Sequence, residues 1–433
     1  MTSSLVQESN PNVTQDRFDT QHHQIVIVGG GAAGITVASY LLNQARSLDI
    51  AIIEPSEKHY YQPGWTLVGG GLMKIEDTMR AQKDFIPKGT TWIKDSVTQL
   101  DPDHNIVITQ TGKHIEYDYL ILCPGIQIDW HLIEGLKVAL GKNGVTTNYS
   151  PTLAPYTWES INSFQGGTAI FTFPNTPIKC GGAPQKVMYM ADDVFKSKSG
   201  VGTHSKVMFC TALTRLFGVA EYCEGLEKVV ARRGIDVKFQ HNLKAIKADT
   251  KEAIFTVITD EGIEEVSIHY DMIHVTPPMS APDFIKKSPL AVNSAGGWVD
   301  VHPETLQHHR YPNVFSLGDA SSVPTARTAA AARKEAPVLV KNLLAVMDGT
   351  PQTGKYDGYS CCPLITGYNS AIMAEFDYGC HPAPTFPLDP AKERYIMFFA
   401  KVYALPWIYW HRMLKGKPFE TDLLKPFNKF LGR

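Results

Sequence analysis

Residues 24–34 of this 433-residue chain read QIVIVGGGAAG, and this stretch decides the fold. Gln24–Val28 is a short β-branched run with the composition of a strand. The residues after Gly34, ITVASYLLNQAR, have the composition of a helix. A GxGxxG pattern between a strand and a helix is typical of a dinucleotide-binding βαβ unit.

Each residue of the turn has a physical task in such a unit. Gly29 permits the tight turn, Gly31 lets the backbone approach a pyrophosphate, and Gly34 lets helix and strand pack closely. Ala32 and Ala33 begin the helix, whose free N–H groups and positive dipole end favour phosphates. The turn therefore predicts a phosphate site, and the alternative is a glycine-rich structural turn.

A second predicted strand ends in an acid that suits a ribose. Ile50–Ile53 is followed by Glu54, 20 residues after Gly34. A carboxylate at this point accepts hydrogen bonds from an adenosine ribose and repels a 2′-phosphate. Strand, turn, helix and acid together indicate a bound dinucleotide.

Later segments indicate that the dinucleotide is FAD. Residues 119–125 (YLILCPG) and 314–320 (VFSLGDA) resemble the interrupted first domain of two-dinucleotide flavoproteins, in which Asp319 would contact the ribityl chain. The helix predicted over Thr328–Arg333 would direct its N-terminus at the flavin pyrimidine, where negative charge grows on reduction. Val97, on the strand around TWIKDSV, matches the position that meets the adenine. The alternative for Asp319 is a buried structural aspartate.

The predicted fold class is α/β, with two Rossmann-like dinucleotide-binding domains of the glutathione-reductase type and a C-terminal amphipathic membrane-interacting segment. The predicted parts are a tail (1–22), an FAD domain (23–165 and 285–350), a second Rossmann-like domain (166–284) and a C-terminal region (351–433).

The second domain lacks a nucleotide fingerprint. Its predicted strands are Thr168–Phe173, Lys206–Cys210 and Asp236–Gln240. The stretch after the second of these, TALTRLFGV, holds a single glycine, Gly218. This argues against NAD(P)H as the electron donor, because phosphate binding needs the glycine spacing.

Two cysteine sites stand out among the seven cysteines. Cys180 is predicted in a turn just ahead of a helix, beside Lys179, and both features lower a thiol pKa. Cys361 and Cys362 lie in GYSCCPLITGYN, which is also interpreted as a turn. Both sites are therefore expected in turns rich in proline and glycine, outside the hydrophobic core.

At this point the chain resembles a known family. The segments EPSEKHYYQPGWTLVGGG (54–71), IFTFPNTPIKCGGAPQK (170–186), HVTPPMSAPD (274–283) and SCCPLITGYN (360–369) are similar to sulfide:quinone oxidoreductases, in the branch with the animal mitochondrial enzymes. The similarity runs from about residue 23 to about residue 415.

The resemblance implies roles for individual residues. Cys180 and Cys362 would form a redox-active pair beside the flavin, with Cys361 an extra neighbour. Gln62 would lie at FAD, and Lys401 near the flavin and quinone. Hydrosulfide would open the disulfide and leave a persulfide on Cys362. The electrons would pass through FAD to ubiquinone or menaquinone, and the sulfane sulfur would go to glutathione, sulfite or a similar acceptor, or leave as polysulfide.

Two other functions stay open at this level. One is a type II NADH:quinone oxidoreductase, which shares the fold, and the other is a non-catalytic flavin redox sensor. The missing second fingerprint and the two cysteine sites favour sulfide oxidation.

The C-terminal region has the composition of a membrane-surface segment. Tyr395–Trp410 has seven aromatic residues in sixteen and one charge, Lys401; Pro406 is expected to interrupt it. A second apolar segment follows at Leu423–Leu431. Residues 391–433 hold nine Lys or Arg and three acids, a local charge of +6. Such a segment is typical of the bilayer interface, and the alternative is a helix docked on the core or in a homo-oligomer contact.

The remaining features bound the partners and the location. A net charge of −2 gives no drive toward nucleic acid, and the sequence predicts no metal site. The first 20 residues resemble neither a secretory signal nor a transit peptide. The expected location is therefore the surface of a bacterial plasma membrane, with the side undetermined.

Overall fold

The computed structural model describes residues 20–44 and 47–418, and it contains two large sheets. The first has the strand order β5-β2-β1-β8-β7-β6, and β19 also pairs with β8. With elements numbered along the chain, its strands are β1 (Thr20–Val28), β2 (Ile50–Ile53), β5 (Thr90–Ile93), β6 (Val97–Asp101), β7 (Ile106–Thr109), β8 (His114–Leu122) and β19 (Val314–Ser316).

The first sheet is completed by residues far apart in sequence. Ile25 pairs with Ile50 on one side and Tyr119 on the other, and all three strands are parallel. β19 adds to the end of β8 in parallel, with Phe315 opposite Ile121. Continuous apolar strands of this kind need cover on both faces. The interrupted first unit expected of a two-dinucleotide flavoprotein is confirmed.

Two helices cover this sheet, α1 (Ala32–Leu42) and α8 (Ala329–Met347). The helix expected over Thr328–Arg333 is longer than predicted. Thr328 is its N-cap, and the Thr328 hydroxyl accepts from the Ala331 N–H at 3.0 Å. The helix then continues past Pro337 for several turns, because the side that carries its buried alanine and leucine residues packs in the hydrophobic core of the first sheet.

The second sheet is five-stranded and parallel, in the order β10-β17-β11-β12-β13. Its strands are β10 (Val145–Thr146), β11 (Gly167–Phe173), β12 (Ser205–Thr211), β13 (Asp236–Lys238) and β17 (Met272–His274). The three predicted strands are present, with ends shifted by one or two residues. The domain boundaries stay a prediction, although one strand of this sheet precedes residue 166.

The remaining strands form smaller antiparallel sheets. These strands are β3 (Lys58–Tyr60), β4 (Met79–Ala81), β9 (Gln127–Ile128), β14 (His241–Lys247), β15 (Glu252–Thr259), β16 (Gly262–His269), β18 (Met279–Ser280), β20 (Ser360–Gly367) and β21 (Ser370–Phe376). The other helices are α2 (Trp65–Gly69), α3 (Leu136–Ala139), α4 (Ala154–Ser163), α5 (Ala183–Ser197), α6 (Ala220–Arg233) and α7 (Asp283–Lys286).

The C-terminal region forms one continuous helical rod. It runs from α9 (Tyr395–Phe399) through a π-helical turn (Ala400–Ala404) into α10 (Leu405–His411). The predicted interruption at Pro406 is wrong. Pro406 comes just after the π-helical turn, and the altered hydrogen-bond pattern of such a turn lets the helix accommodate a residue without an N–H. The Leu423–Leu431 segment lies outside the described residues. Within the described ranges, no helix has the length and apolar character needed to cross a bilayer.

Candidate active site: a cysteine pair beside two lysines

The glycine turn and Glu54 meet at the carboxyl ends of β1 and β2. The Glu54 carboxylate accepts from the backbone N–H of Gly30 at 2.8 Å and of Ser56 at 2.7 Å. Burial raises the pKa of this carboxyl, and the two backbone hydrogen bonds oppose that change. Glu54 therefore borders the turn, in the place from which a ribose could be reached.

The turn itself leaves room for a phosphate group. Gly29 has φ +104°, and a Cβ there would lie 2.4 Å from the Cys123 carbonyl oxygen. A Cβ at Gly34 would lie 1.9 Å from the Gly29 oxygen, so this glycine lets helix and strand approach. A Cβ at Gly31, by contrast, would meet no described atom within 4 Å. Gly31 thus faces an open space at the N-terminus of α1, where Ala32 and Ala33 follow, and these residues fit a dinucleotide phosphate.

Asp319 lies in a short turn after β19, next to residues that the sequence reading missed. Burial raises the pKa of the Asp319 carboxyl, while the positive charges of Lys179 and Arg327 act in the opposite direction. The Gly318 N–H donates to the Glu335 carboxylate at 2.7 Å, and burial raises the pKa of Glu335 to about 7. The signal for Glu335 is an acid among the mainly apolar buried residues of α8. Arg327, directly before the Thr328 N-cap, donates to the Asp319 carbonyl at 3.0 Å, so Asp319 lies near the N-terminal end of α8.

Two other predicted cofactor residues take distinct places. Val97 begins β6, and the TWI residues belong to β5, so the expected single strand around TWIKDSV is in fact two strands. Gln62 begins a 3₁₀ turn, and the Gln62 side-chain oxygen accepts from the Lys179 ammonium at 2.7 Å. This bond links the segment after β3 to the turn that carries Cys180.

The structure brings Cys180 and Cys362 together from positions 182 residues apart. The two Sγ atoms are 3.5 Å apart, longer than the roughly 2.05 Å of a disulfide bond. Cys180 lies in the turn ahead of α5 with φ +58°. The expectation that Cys362 lies in a turn outside the core is wrong, because Cys362 is on β20 and only 1% exposed. β20 pairs with β21, and this hairpin places the Cys362 thiol inside the hydrophobic core that includes Phe171 and Val187.

Lys186 is the main residue that the sequence reading missed. Its ammonium donates to the Cys180 Sγ at 3.0 Å, whereas the sequence neighbour Lys179 bonds elsewhere. The Cys362 thiol and then Lys186 hold the pKa of Cys180 well below its usual range, against the opposing effect of burial. Burial alone would lower the pKa of Lys186, but the charges of Cys180 and Cys362, together with the hydrogen bond to Cys180, outweigh burial and raise that pKa. Cys180 is thus a thiolate paired with a buried ammonium.

Cys362 has the opposite electrostatic character. Its hydrogen bond to the Cys180 thiolate and its burial raise the pKa of the Cys362 thiol. Gly182 makes room for this sulfur, since a Cβ there would lie 2.6 Å from it. Cys361 points to the other face of β20, where its Sγ is 3.4 Å from the Met373 sulfur. Strand alternation therefore selects Cys362, and not Cys361, as the partner of Cys180.

Lys401 reaches the same site from the C-terminal rod. It is on the π-helical turn, buried, and donates to the Pro63 carbonyl at 3.0 Å. Burial, together with the like charge of Lys186, lowers the pKa of Lys401 to about 7, although the Cys180 charge opposes this. The Lys401 ammonium also lies 5.7 Å from the centre of the Tyr61 ring. Lys401 therefore joins the C-terminal rod to the segment of Tyr61 and Pro63, within electrostatic reach of the cysteine pair.

Comparison with known proteins identifies the family of this site. Residues 23–152 match the pyridine nucleotide-disulphide oxidoreductase family model. A mitochondrial sulfide:quinone oxidoreductase of Dictyostelium discoideum is 50% identical over 403 residues, 93% of this chain and 88% of that protein. The chain belongs to the sulfide:quinone oxidoreductase family. A mitochondrial member from Mus musculus is 44% identical over 395 residues, 91% of this chain and 87% of that protein.

A solved family member has the same fold. The sulfide:quinone oxidoreductase of Aquifex aeolicus superposes with a TM-score of 0.76 at 21% identity, over 94% of this chain and 96% of that one. This confirms the predicted fold class. The chain is an FAD-dependent oxidoreductase, and its substrates are sulfide and a quinone.

The expected bacterial plasma membrane is wrong. The relatives that match at 44–50% identity over most of the chain are mitochondrial enzymes of eukaryotes. The expectation rested on the composition of the first 20 residues, in which no transit peptide was recognised. Residues 1–19 lie outside the described ranges.

Proposed function

We propose that Cys180 and Cys362 are the redox pair through which this chain oxidises sulfide. The observation that carries this proposal is the 3.5 Å distance between the two sulfur atoms, one of which is 3.0 Å from a buried ammonium. Disulfide exchange requires an attacking thiolate, a good leaving thiolate and access. The remaining steps follow from the charges around the two sulfurs.

The charges assign the direction of attack. In the oxidised pair, HS⁻ forms a bond to the Cys362 Sγ while the bond between the two cysteines breaks. Cys362 becomes a persulfide, and Cys180 leaves as a thiolate that takes up the electron pair. The leaving sulfur departs faster when its pKa is low, and Lys186 helps lower that of Cys180. This agrees with the persulfide position that the family resemblance implies.

The protein contributes position and charge to electron transfer. When bound, FAD would supply the two-electron redox chemistry that links the oxidation of sulfide to sulfane sulfur with the reduction of the quinone. Gly31, Glu54 and Asp319 would hold the cofactor by its phosphates, ribose and ribityl chain. Lys179, half-buried, lies near Asp319, and burial lowers the pKa of Lys179 to about 8. Lys401 supplies a group that can gain or lose a proton near neutral pH beside the quinone.

Anaerobic flavin spectroscopy tests the cysteine assignment. Sulfide is expected to bleach the flavin of the wild type, and not that of Cys180→Ser or Cys362→Ser, while FAD stays bound. Cys210→Ser is the matched control, since Cys210 is buried on β12. Normal turnover of either serine variant would refute the assignment. Bleaching by NADH and not by sulfide would instead favour an NADH:quinone oxidoreductase.

We also propose that the C-terminal rod docks on a membrane surface. Four aromatic residues at intervals of four line its outer side and are exposed: Tyr395 63%, Phe399 47%, Tyr403 60% and Trp407 55%. The opposite side packs into the protein core. Aromatic rings of this kind prefer the bilayer interface, and basic side chains nearby add attraction to anionic lipid. The mitochondrial relatives point to a mitochondrial membrane.

Point substitutions test the membrane surface better than truncation. Removing residues from Tyr395 onward would also remove Lys401, Tyr409 and Trp410, which are buried. The double variant Tyr403→Ser/Trp407→Ser is expected to partition less into liposomes of phosphatidylcholine and cardiolipin. Val138→Ser is the control, since Val138 is 74% exposed elsewhere on the surface. Equal partition of both variants would contradict the proposal.

The sulfur acceptor and the assembly are proposed at a coarser level. A small sulfur nucleophile, such as glutathione or sulfite, would attack the Cys362 persulfide; without one, further HS⁻ would build polysulfide. Steady-state rates with each acceptor, at constant sulfide and ubiquinone or menaquinone analogue, rank these candidates. A homo-oligomer remains a prediction, which sedimentation of the detergent-solubilised holoenzyme would check.

A further inference from the structure

A buried chain of hydrogen bonds connects the glycine turn to the C-terminal rod. The Gln82 amide donates to the Gly30 carbonyl at 2.7 Å, and the Gln82 side-chain oxygen is 3.1 Å from the His59 Nδ1. The His59 Nε2 is 2.6 Å from the Tyr409 hydroxyl. Gln82, His59 and Tyr409 are all 3% exposed or less. These hydrogen bonds therefore link residue 30 to residue 409 through the buried interior of the protein.

Each hydrogen bond in this chain has a defined direction. The Gly30 carbonyl can only accept, so Gln82 must present its NH₂ group there and its oxygen to His59. His59 therefore carries its proton on Nδ1, and Nε2 accepts from the Tyr409 hydroxyl. Burial lowers the pKa of His59 to about 4, so the ring is neutral at physiological pH. No member can be replaced by an apolar group without leaving a buried polar atom unpartnered.

The far end of the chain fixes the residues around Lys401. The Tyr409 ring packs on Tyr61 with 4.8 Å between ring centres, and Tyr61 lies beneath the Lys401 ammonium. Trp410, next along α10, packs on Phe85 at 5.0 Å. The orientation of Tyr409 thus determines the aromatic surface on which Lys401 rests.

We infer that His59, Gln82 and Tyr409 are positioning residues that couple the dinucleotide turn to the quinone side of the C-terminal rod. The inference rests on the proposed function for the quinone half of the reaction. Gly30 lies between Gly29 and Gly31, so the carbonyl that anchors these hydrogen bonds belongs to the cofactor turn itself. FAD seated on this turn would hold the rod, and Lys401 on it, in register for the quinone.

The test separates the two half-reactions of the holoenzyme. Tyr409→Phe keeps the ring that packs on Tyr61 and removes only the hydroxyl. We expect the KM for decylubiquinone to rise about fivefold, the effect of one lost buried hydrogen bond. Flavin reduction by sulfide should stay within twofold of the wild type. Gln82→Met should raise the KM for decylubiquinone by a similar factor. The double variant should have no higher KM than the single variants, because the same series of hydrogen bonds is broken in all three.

A second measurement does not depend on turnover. Limited trypsin digestion of the FAD-loaded protein should cleave after Arg412 or Lys415 faster in Tyr409→Phe than in the wild type. Tyr356→Phe is the matched control, because its buried hydroxyl bonds to the Tyr359 carbonyl, outside this chain. An unchanged quinone KM with unchanged cleavage would overturn the inference, as would equal effects in Tyr356→Phe. If sulfide does not reduce the flavin of the wild type, the proposed function is refuted instead.

Discussion

Replacing Lys186 with methionine tests the charge arrangement around Cys180. Methionine has a similar length and no charge, so the helix and its packing should persist. The substitution removes the ammonium that is 3.0 Å from the Cys180 sulfur. The Cys180 thiolate then keeps only the Cys362 thiol as its hydrogen-bond partner, with Lys401 as the remaining cation that lowers its pKa. We expect the thiolate form of Cys180 to become less favourable.

The magnitude follows from the burial of the pair. Lys186 is 2% exposed, so water and salt screen its interaction with the thiolate very little. A buried hydrogen bond to a charged group contributes about 1.5–3 kcal/mol. At about 1.4 kcal/mol per factor of ten, the thiolate-to-thiol equilibrium should shift by roughly 10- to 100-fold toward the thiol. The pKa of Cys180 should rise, and flavin reduction by sulfide should slow because Cys180 becomes a poorer leaving group.

Alkylation measures this equilibrium directly. The reduced holoenzyme is treated with iodoacetamide at a series of pH values, and the modified Cys180 peptide is quantified by mass spectrometry. The midpoint of the profile should move to higher pH in Lys186→Met. Lys196→Met is the control on the same helix, where the lysine pairs with Asp192 away from the cysteines. The same midpoint in the wild type and Lys186→Met would refute the role of Lys186.

Three further predictions concern single residues of the site. Gly182→Ala should slow sulfide-driven flavin reduction at least tenfold with FAD retained, because the added Cβ would displace the Cys362 sulfur. Stopped-flow absorbance measures the rate of flavin reduction, and an unchanged rate would contradict the prediction. Gly31→Ala should keep the melting temperature of the apoprotein and lower the FAD content, whereas Gly34→Ala, with its Cβ 1.9 Å from an oxygen, should lower both. The pKa of the buried Lys401 is about 7 in the folded state, against 10.5 for an ordinary exposed lysine. The unfolded chain therefore binds more protons between these two values, and the stability of the wild type should rise with pH in this range. Lys401→Met should therefore be more stable than the wild type at pH 6, with the difference shrinking toward pH 10 in denaturant titrations; a constant difference would argue against a neutralised lysine.

The sequence was sufficient for the parts of this protein that depend on neighbouring residues. Strand, glycine turn and helix are adjacent from residue 24 to residue 42, and the backbone geometry that phosphates require comes from glycine itself. Asp319 could be singled out because Gly318-Asp319 comes shortly after a short apolar strand, a pattern that resembles two-dinucleotide flavoproteins. The aromatic character of the C-terminal rod was visible in the sequence, because seven of the sixteen residues of Tyr395–Trp410 are aromatic.

Only the tertiary structure decided which distant groups meet. Lys179 is the sequence neighbour of Cys180, yet the lysine that bonds to the Cys180 sulfur is Lys186. The turn with positive φ at Cys180 directs the thiol along α5, where Lys186 lies. Cys361 and Cys362 are adjacent residues of the same type. Side chains alternate between the two faces of β20, so the Cys362 sulfur lies beside Cys180 and the Cys361 sulfur lies beside Met373. The pKa values of these groups depend on burial and on charges contributed by separate elements, and no local pattern encodes either one.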